Sequence, residues 1–217
     1  MPFELMDLGL VDYEKALDLQ QQYVTQKKNK ALETDMILML EHPAVFTLGK
    51  RGGRENLMVS EDFLKEQKVP VVQTGRGGNI TFHGPGQLVV YPIMDLDRAG
   101  MGVADFVHLL EEIMIQMAGD VGVTARRSSA NHGIWVENRK LGSIGLSITR
   151  GISFHGLALN ANVDLTPFSW VNPCGLSGVS MTSLENELQQ KSPKGSISMP
   201  VVKESFVRHF TRAIKST

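Results

Sequence analysis

Between His132 and Asn160 three strand-like runs follow one another with almost nothing between them. Gly133 to Glu137 is followed by a turn at Asn138-Arg139-Lys140, then by Leu141 to Thr149, then, past Arg150-Gly151, by Ile152 to Asn160. Connections this short cannot carry a crossover helix, so the three strands run antiparallel. That excludes a doubly wound parallel sheet, whose strands would be separated by helical segments. The chain is expected to form an α+β fold: a mixed, largely antiparallel sheet with flanking helices, in a single domain spanning residues 1–217.

The flanking helices show in the 3.6-residue period. Tyr13, Ala16, Leu17, Tyr23 and Val24 mark a surface helix over Asp12 to Lys28, and Val103, Phe106, Val107, Leu110, Met114 and Met117 mark a second over Gly102 to Gly119. Ser60 before Glu61 and Asp62 predicts a short third helix, and Thr182-Ser-Leu-Glu185 has the spacing of a capping box. Pro200 at a first helical position, followed by Val202, Phe206, Phe210 and Ile214, predicts the last. Met36 to Leu40 and Pro70 to Gln73 read as strands. Gln87 to Met94 reads as another, with Pro92 at an edge or strand end because proline cannot donate to a ladder. Leu165 to Trp170 reads as irregular or one helical turn, and Val171 to Gly178 as a tight turn.

The formal net charge of −1 argues against a bulk nucleic-acid binder, although Lys27-Lys28-Asn29-Lys30, Arg126-Arg127 and Arg139-Lys140 are local basic clusters. The N-terminus has no basic segment before an apolar one, and no apolar run approaches the length of a membrane span. A single cysteine, Cys174, rules out an intrachain disulfide and a multi-cysteine metal site. A protein of the reducing cytoplasm, without membrane association, is expected.

Arg76-Gly-Gly-Asn-Ile-Thr-Phe-His83-Gly-Pro-Gly-Gln87 runs a glycine-rich loop into the strand ending near Met94, and Gly49-Lys50-Arg51-Gly52-Gly53 forms a second such loop after His42-Pro43. Glycines beside arginine, histidine and glutamine let backbone N–H groups and polar side chains converge on a ligand, although such residues more often just turn a hairpin. Phosphate-loop, dinucleotide, zinc-protease and serine-elbow motifs are all absent. What remains is Asn172-Pro173-Cys174-Gly175, a thiol at a sharp turn. A lone thiol is usually an inert small hydrophobe. A catalytic one requires a basic or cationic neighbour, and His42, His83, His132, His155 and Lys140 all qualify by residue type. Spacing does not choose among them.

The stretch Arg76 to Tyr91 resembles the signature of the lipoate-protein ligase B family, the lipoyl(octanoyl) transferases. Two further blocks agree in order and spacing: Arg139-Lys140-Leu-Gly-Ser-Ile-Gly145, continuing to Gly151-Ile-Ser-Phe-His155-Gly-Leu-Ala-Leu-Asn160, and Asn172-Pro-Cys174-Gly175. The resemblance covers about His42 to Thr182 and implies a fold similar to biotin and lipoate protein ligases. It implies octanoyl transfer from octanoyl-acyl carrier protein to a lysine on lipoyl domains of 2-oxoacid dehydrogenases and of the glycine cleavage H protein. Cys174 would be the acyl-accepting nucleophile and Lys140 the residue that tunes its pKa. Arg76, Gly77, Gly78, Asn79, Ile80, Thr81, Phe82 and His83, with Ser143, Ile144 and Gly145 and with Gly156, Leu157 and Ala158, would line the acyl pocket. Gly142 would leave further room for the chain, and backbone N–H groups near Gly77-Gly78 or Cys174-Gly175 would receive the oxyanion. Gly142-Ser143, and Ser147 with Thr149, depart from the residues often found there, with expected effects on pocket width and docking charge respectively. Neither a metal nor a cofactor is implied. The competing readings are an ATP-dependent lipoate or biotin ligase, and a non-enzymatic module that binds acyl carrier protein.

Overall fold

Two strands at the centre of the molecule alternate between two apolar surroundings. In β2 (Asp35–Glu41), Ile37 and Met39 enter one core while Met36, Leu38 and Leu40 enter another. In β6 (Gln87–Ile93), Leu88 and Val90 share the first core, and Val89, Tyr91 and Ile93 the second. A strand apolar on both faces must lie between two covering layers. The computed structural model, which describes residues 2–128, 131–172 and 179–216, supplies both layers. One face of the sheet is covered by α3 (Val103–Asp120) and α5 (Met199–Ser216), the other by α1 (Tyr13–Lys28).

The sheet adds β1 (Phe3–Leu10), β7 (Arg126–Arg127), β8 (Gly133–Val136), β9 (Arg139–Thr149) and β10 (Ile152–Asn160), in the order β1-β2-β6-β10-β9-β8-β7. β1 runs parallel to β2, and every later neighbour on this path is antiparallel. β11 (Ser180–Met181) joins β9 in parallel. A smaller sheet of β3 (Val45–Leu48) between β4 (Val71–Gln73) and β5 (Ile80–His83) builds a third core with α2 (Glu61–Glu66) and the 3-10 turn Thr166–Trp170. The α+β class and the hairpins through β8, β9 and β10 match the sequence reading. No helix among the described residues is long and apolar enough to cross a membrane.

Several local expectations change. The β8–β9 turn is Glu137-Asn138, so Lys140 is the second residue of a long strand rather than part of the turn. Ser183, not Thr182, caps α4 (Leu184–Lys191), accepting from the N–H of Asn186, while Thr182 Oγ1 bonds Glu187. Pro200 is the second helical residue of α5. Pro92 lies in an interior strand, but the β10 ladder reaches only Val90, so its missing N–H leaves no gap there. Ser153 closes the junction, its hydroxyl donating to Pro92 O at 2.7 Å and accepting from the N–H of Met94 at 3.1 Å. β1 and β3 had no counterpart in the sequence reading.

Candidate functional site: a cleft between two bulges

Two irregularities in the large sheet decide which side chains reach the α1 face. On β9 the register with β8 skips from Gly142 (opposite Ile134) to Lys140 (opposite Trp135), leaving Leu141 as an extra residue. Leu141 and Gly142 both turn toward α3: Leu141 is fully buried in that core, and a Cβ on Gly142 would lie 2.8 Å from Met114 Sδ. The bulge thereby swings Lys140 to the opposite face. On β10, His155 has φ +54° and breaks the alternation in the same way. It stands opposite Leu146, which packs in the α3/α5 core, yet its ring lies beside Phe154 and Tyr91 on the α1 side. Between the two bulges the α1 face carries small residues: Ser143 and Gly145 on β9, Gly156 and Ala158 on β10.

A cleft of about 630 Å³ occupies that stretch, well inside the range of small-ligand sites. Its floor includes Val89, Tyr91, Gly156 and Ala158, and one wall is Arg76 to Thr81. That wall is pinned by Arg76, buried to 8 % exposure, whose guanidinium donates to Thr47 O at 2.6 Å and Thr47 Oγ1 at 2.9 Å. The N–H of Gly77 donates to Leu146 O at 2.8 Å, tying the loop to β9. That N–H is therefore already engaged and is not an oxyanion donor. Close approach also fixes the floor, since a Cβ on Gly156 would stand 2.0 Å from Val90 O.

Lys140 sits at one end of the cleft, 2 % exposed, with Nζ donating to Asn131 Oδ1 at 2.6 Å and lying 5.3 Å from the Trp135 ring centre. The Asn131 segment is held in turn. Gly133, at φ +115°, donates its N–H to Glu111 Oε1 at 2.9 Å, and Glu111 comes from α3 at 2 % exposure. A second line of bonds runs beneath the cleft. His83 Nδ1 pairs with Gln87 Oε1 at 2.7 Å, Gln87 Nε2 donates to Asn160 Oδ1 at 2.9 Å, and Asn160 Nδ2 donates to Thr182 O at 2.9 Å. The N–H of Thr182 reaches Lys140 O at 3.0 Å. The glycine-rich stretch and the lysine strand are thus parts of one buried polar frame.

The histidines are not poised as bases. Burial lowers His42 to about 4; its Nδ1–H donates to Val11 O and its Nε2 accepts from the Tyr91 hydroxyl. Burial, then the neighbouring His42, lowers His83 to about 3, and burial lowers His155 to about 3, with Arg76 and Lys50 adding to the effect. All three are neutral imidazoles inside the fold. His132 is at the exposed rim, its Nδ1 3.7 Å from Glu111 Oε1.

Of the expected pocket residues, Arg76, Gly77, Gly78, Asn79, Ile80, Thr81, His83, Ser143, Ile144, Gly145, Gly156, Leu157 and Ala158 line the cleft together with Lys140. Phe82 does not: it packs between Phe46 and Phe168 in the third core. Gly142 faces α3 and so does not widen the cleft. Ser147 is buried and donates to Gly75 O, which removes it from a docking surface. Cys174, Gly175 and the predicted turn through Gly178 lie outside the described residues. Tyr13, Tyr91 and Asn131 line the cleft without having been named for it. The first sits on a helix stripe that reads as core, the second beside a proline that reads as a strand end, and no spacing links Asn131 to Lys140. Among the described residues no cluster of His, Cys, Asp or Glu could hold a metal ion.

Comparison with known proteins agrees with this architecture. Residues 12–211 match the lipoyl protein ligase A/B catalytic domain. An octanoyltransferase of Desulfotalea psychrophila is 50% identical over 185 residues, covering 84% of this chain and 83% of that protein. One from Syntrophobacter fumaroxidans is 42% identical over 184 residues, covering 85% and 80%. A bipartite lipoate protein ligase from Thermoplasma acidophilum superimposes with a TM-score of 0.72 at 15% identity over 99% of this chain and 84% of that one, a likeness of fold alone. With a family match over nearly the whole chain and half of its residues shared with an octanoyltransferase, the protein belongs to the lipoyl protein ligase A/B catalytic domain family, in its lipoate-protein ligase B branch.

Proposed function

We propose that the chain is one catalytic domain that takes an octanoyl group from octanoyl-acyl carrier protein, holds it as a thioester on Cys174 and passes it to a lysine of a lipoyl domain. The observation that carries this reading is Lys140, buried at one end of a small-residue cleft of acyl dimensions, in a chain half identical to an octanoyltransferase. A hydrocarbon chain gains about 0.8 kcal/mol per CH₂ buried, and the floor of Ser143, Gly145, Gly156 and Ala158 leaves room for it.

In the first step the Cys174 thiolate attacks the carrier thioester, a new C–S bond forms and the carrier thiolate departs. Charged Lys140 favours the thiolate form of Cys174. One thioester replaces another, so this step is nearly balanced. In the second step the acceptor lysine, whose free pKa is about 10.4, must attack as the neutral amine. A C–N bond forms, Cys174 leaves as thiolate, and Lys140 takes the amine proton. The greater stability of the amide draws the sequence forward. The acceptors are lipoyl domains of 2-oxoacid dehydrogenases and the glycine cleavage H protein, and the reducing cytoplasm suits a working thiol.

The fold is shared with lipoate protein ligases, so an ATP-dependent ligase is the reading to separate. Octanoyl-carrier protein and an apo lipoyl domain are incubated with this protein, with and without ATP. Transfer without ATP is expected, and transfer only with ATP would contradict the proposal.

A further inference from the structure

The end of the cleft away from Lys140 is polar. His155 lines it at 1 % exposure, and neither ring nitrogen has a hydrogen-bond partner in the protein. A buried imidazole with both nitrogens unmatched is costly and demands an explanation. Its placement is built rather than incidental. A left-handed backbone at φ +54° turns the ring onto the cleft face, and α1 holds that conformation through Gln20 Oε1, which accepts the His155 N–H at 2.8 Å. Gln20 Nε2, also buried, is likewise without a protein partner. Tyr91 packs edge-on against the imidazole, with ring centres 6.3 Å apart.

His155 pairs with Leu146, six residues along β9 from Lys140, or roughly 20 Å by strand rise. An extended octanoyl chain anchored beside Lys140 is shorter than that span. Its methyl end stops over the small residues and leaves the imidazole to water. Each further CH₂ moves the tail toward His155 and strips that water without replacing its hydrogen bonds.

Resting on the acyl-transfer reading above, we propose that His155 is a specificity-determining residue: it forms a polar terminus to the acyl cleft that rejects longer alkyl chains and accepts longer chains bearing a hydrogen-bonding group at the ω end. A neutral imidazole both donates and accepts, so an ω-hydroxyl suits it.

The test compares octanoyl-, decanoyl- and ω-hydroxydecanoyl-carrier protein as donors to an apo lipoyl domain, and in parallel the binding of the three free acids by calorimetry. The wild-type protein is expected to use ω-hydroxydecanoyl about tenfold better in kcat/KM than decanoyl, and to bind the free acids in the same order. His155→Leu should erase that advantage and raise the decanoyl-to-octanoyl ratio about tenfold. His155→Asn, which tolerates the left-handed backbone and stays polar, should retain much of the discrimination. Equal use and equal binding of the two ten-carbon ligands by the wild-type protein would overturn the inference, whether or not His155→Leu folds. Absent transfer with the binding order intact would count against the acyl-transfer reading and leave the polar terminus standing.

Discussion

Lys140 Nζ donates to Asn131 Oδ1 at 2.6 Å, across the start of the β8–β9 hairpin. The amide oxygen orients the amine and favours its charged form. Lys140→Ala should slow both half-reactions by about 10²–10⁴-fold, the usual scale for a positioned acid–base group. It should also raise the pKa of Cys174, read as a shift to higher pH in its alkylation by iodoacetamide; with one cysteine in the chain the signal has one source. Asn131→Ala should cost about ten- to a hundredfold in kcat, the scale of one charge-assisted hydrogen bond. An unchanged alkylation profile in Lys140→Ala would remove the lysine from its assigned role.

Gly156→Ala and Ser143→Leu should separate stability from binding. The added methyl on Gly156 meets the backbone oxygen of Val90 at 2.0 Å and Pro92 Cδ at 2.7 Å. Neither yields easily, so a loss of about 1–3 kcal/mol or more is expected. Ser143 faces open cleft, and leucine there should raise the KM for octanoyl carrier while thermal melting stays close to wild type. Equal melting losses in both variants would contradict the cleft assignment.

The buried histidines make stability fall on the acid side. Above pH 6.5 they are neutral in both folded and unfolded chains and cost nothing. As pH drops below 6.5 the unfolded chain takes up protons that the folded one refuses, down to about 4 at His42 and about 3 at His83 and His155. Each imidazole then removes up to about 1.4 kcal/mol per pH unit. Urea unfolding at pH 7 and 5.5 should show the decline, and His42→Gln should make it shallower. An identical slope in that variant would contradict the placement of His42.

Asp35 anchors the α1 side of the sheet. It is 1 % exposed, and its Oδ1 accepts from Lys27 Nζ at 2.6 Å, Arg98 Nη2 at 3.0 Å and the N–H of Asp95 at 3.1 Å. Asp35→Ala strands a buried ammonium and should cost about 3–5 kcal/mol. Pairing Asp35→Leu with Lys27→Met should recover much of the loss, and no recovery would show that the pair is not the source of the cost.

The helices were readable because each is a long amphipathic run with its own period, and the β8–β10 hairpins because their connections leave no room for another topology. β1 was not: its partly exposed edge pattern around Asp7 and Gly9 carries no strand signature. β3 was hidden behind the turn residues His42-Pro43 and the glycines that follow. The cleft's wall residues followed from family resemblance, but which side chains face inward depended on two bulges. One extra residue at Leu141 and one left-handed residue at His155 reverse the alternation, and period-two reasoning has no means to place them. Phe82 shows the converse, since its motif is right while its side of the strand is set by the third core.

The central claim is that the octanoyl group passes through Cys174, and intact-mass measurement of the protein after incubation with octanoyl-carrier protein alone tests it most directly. The account predicts a mass increase of one octanoyl group, located on Cys174, absent from Cys174→Ser and discharged when an apo lipoyl domain is added. A Cys174→Ser protein that still transfers octanoyl at the wild-type rate, or a wild-type protein that transfers it with no adduct that is discharged in this way, would contradict it.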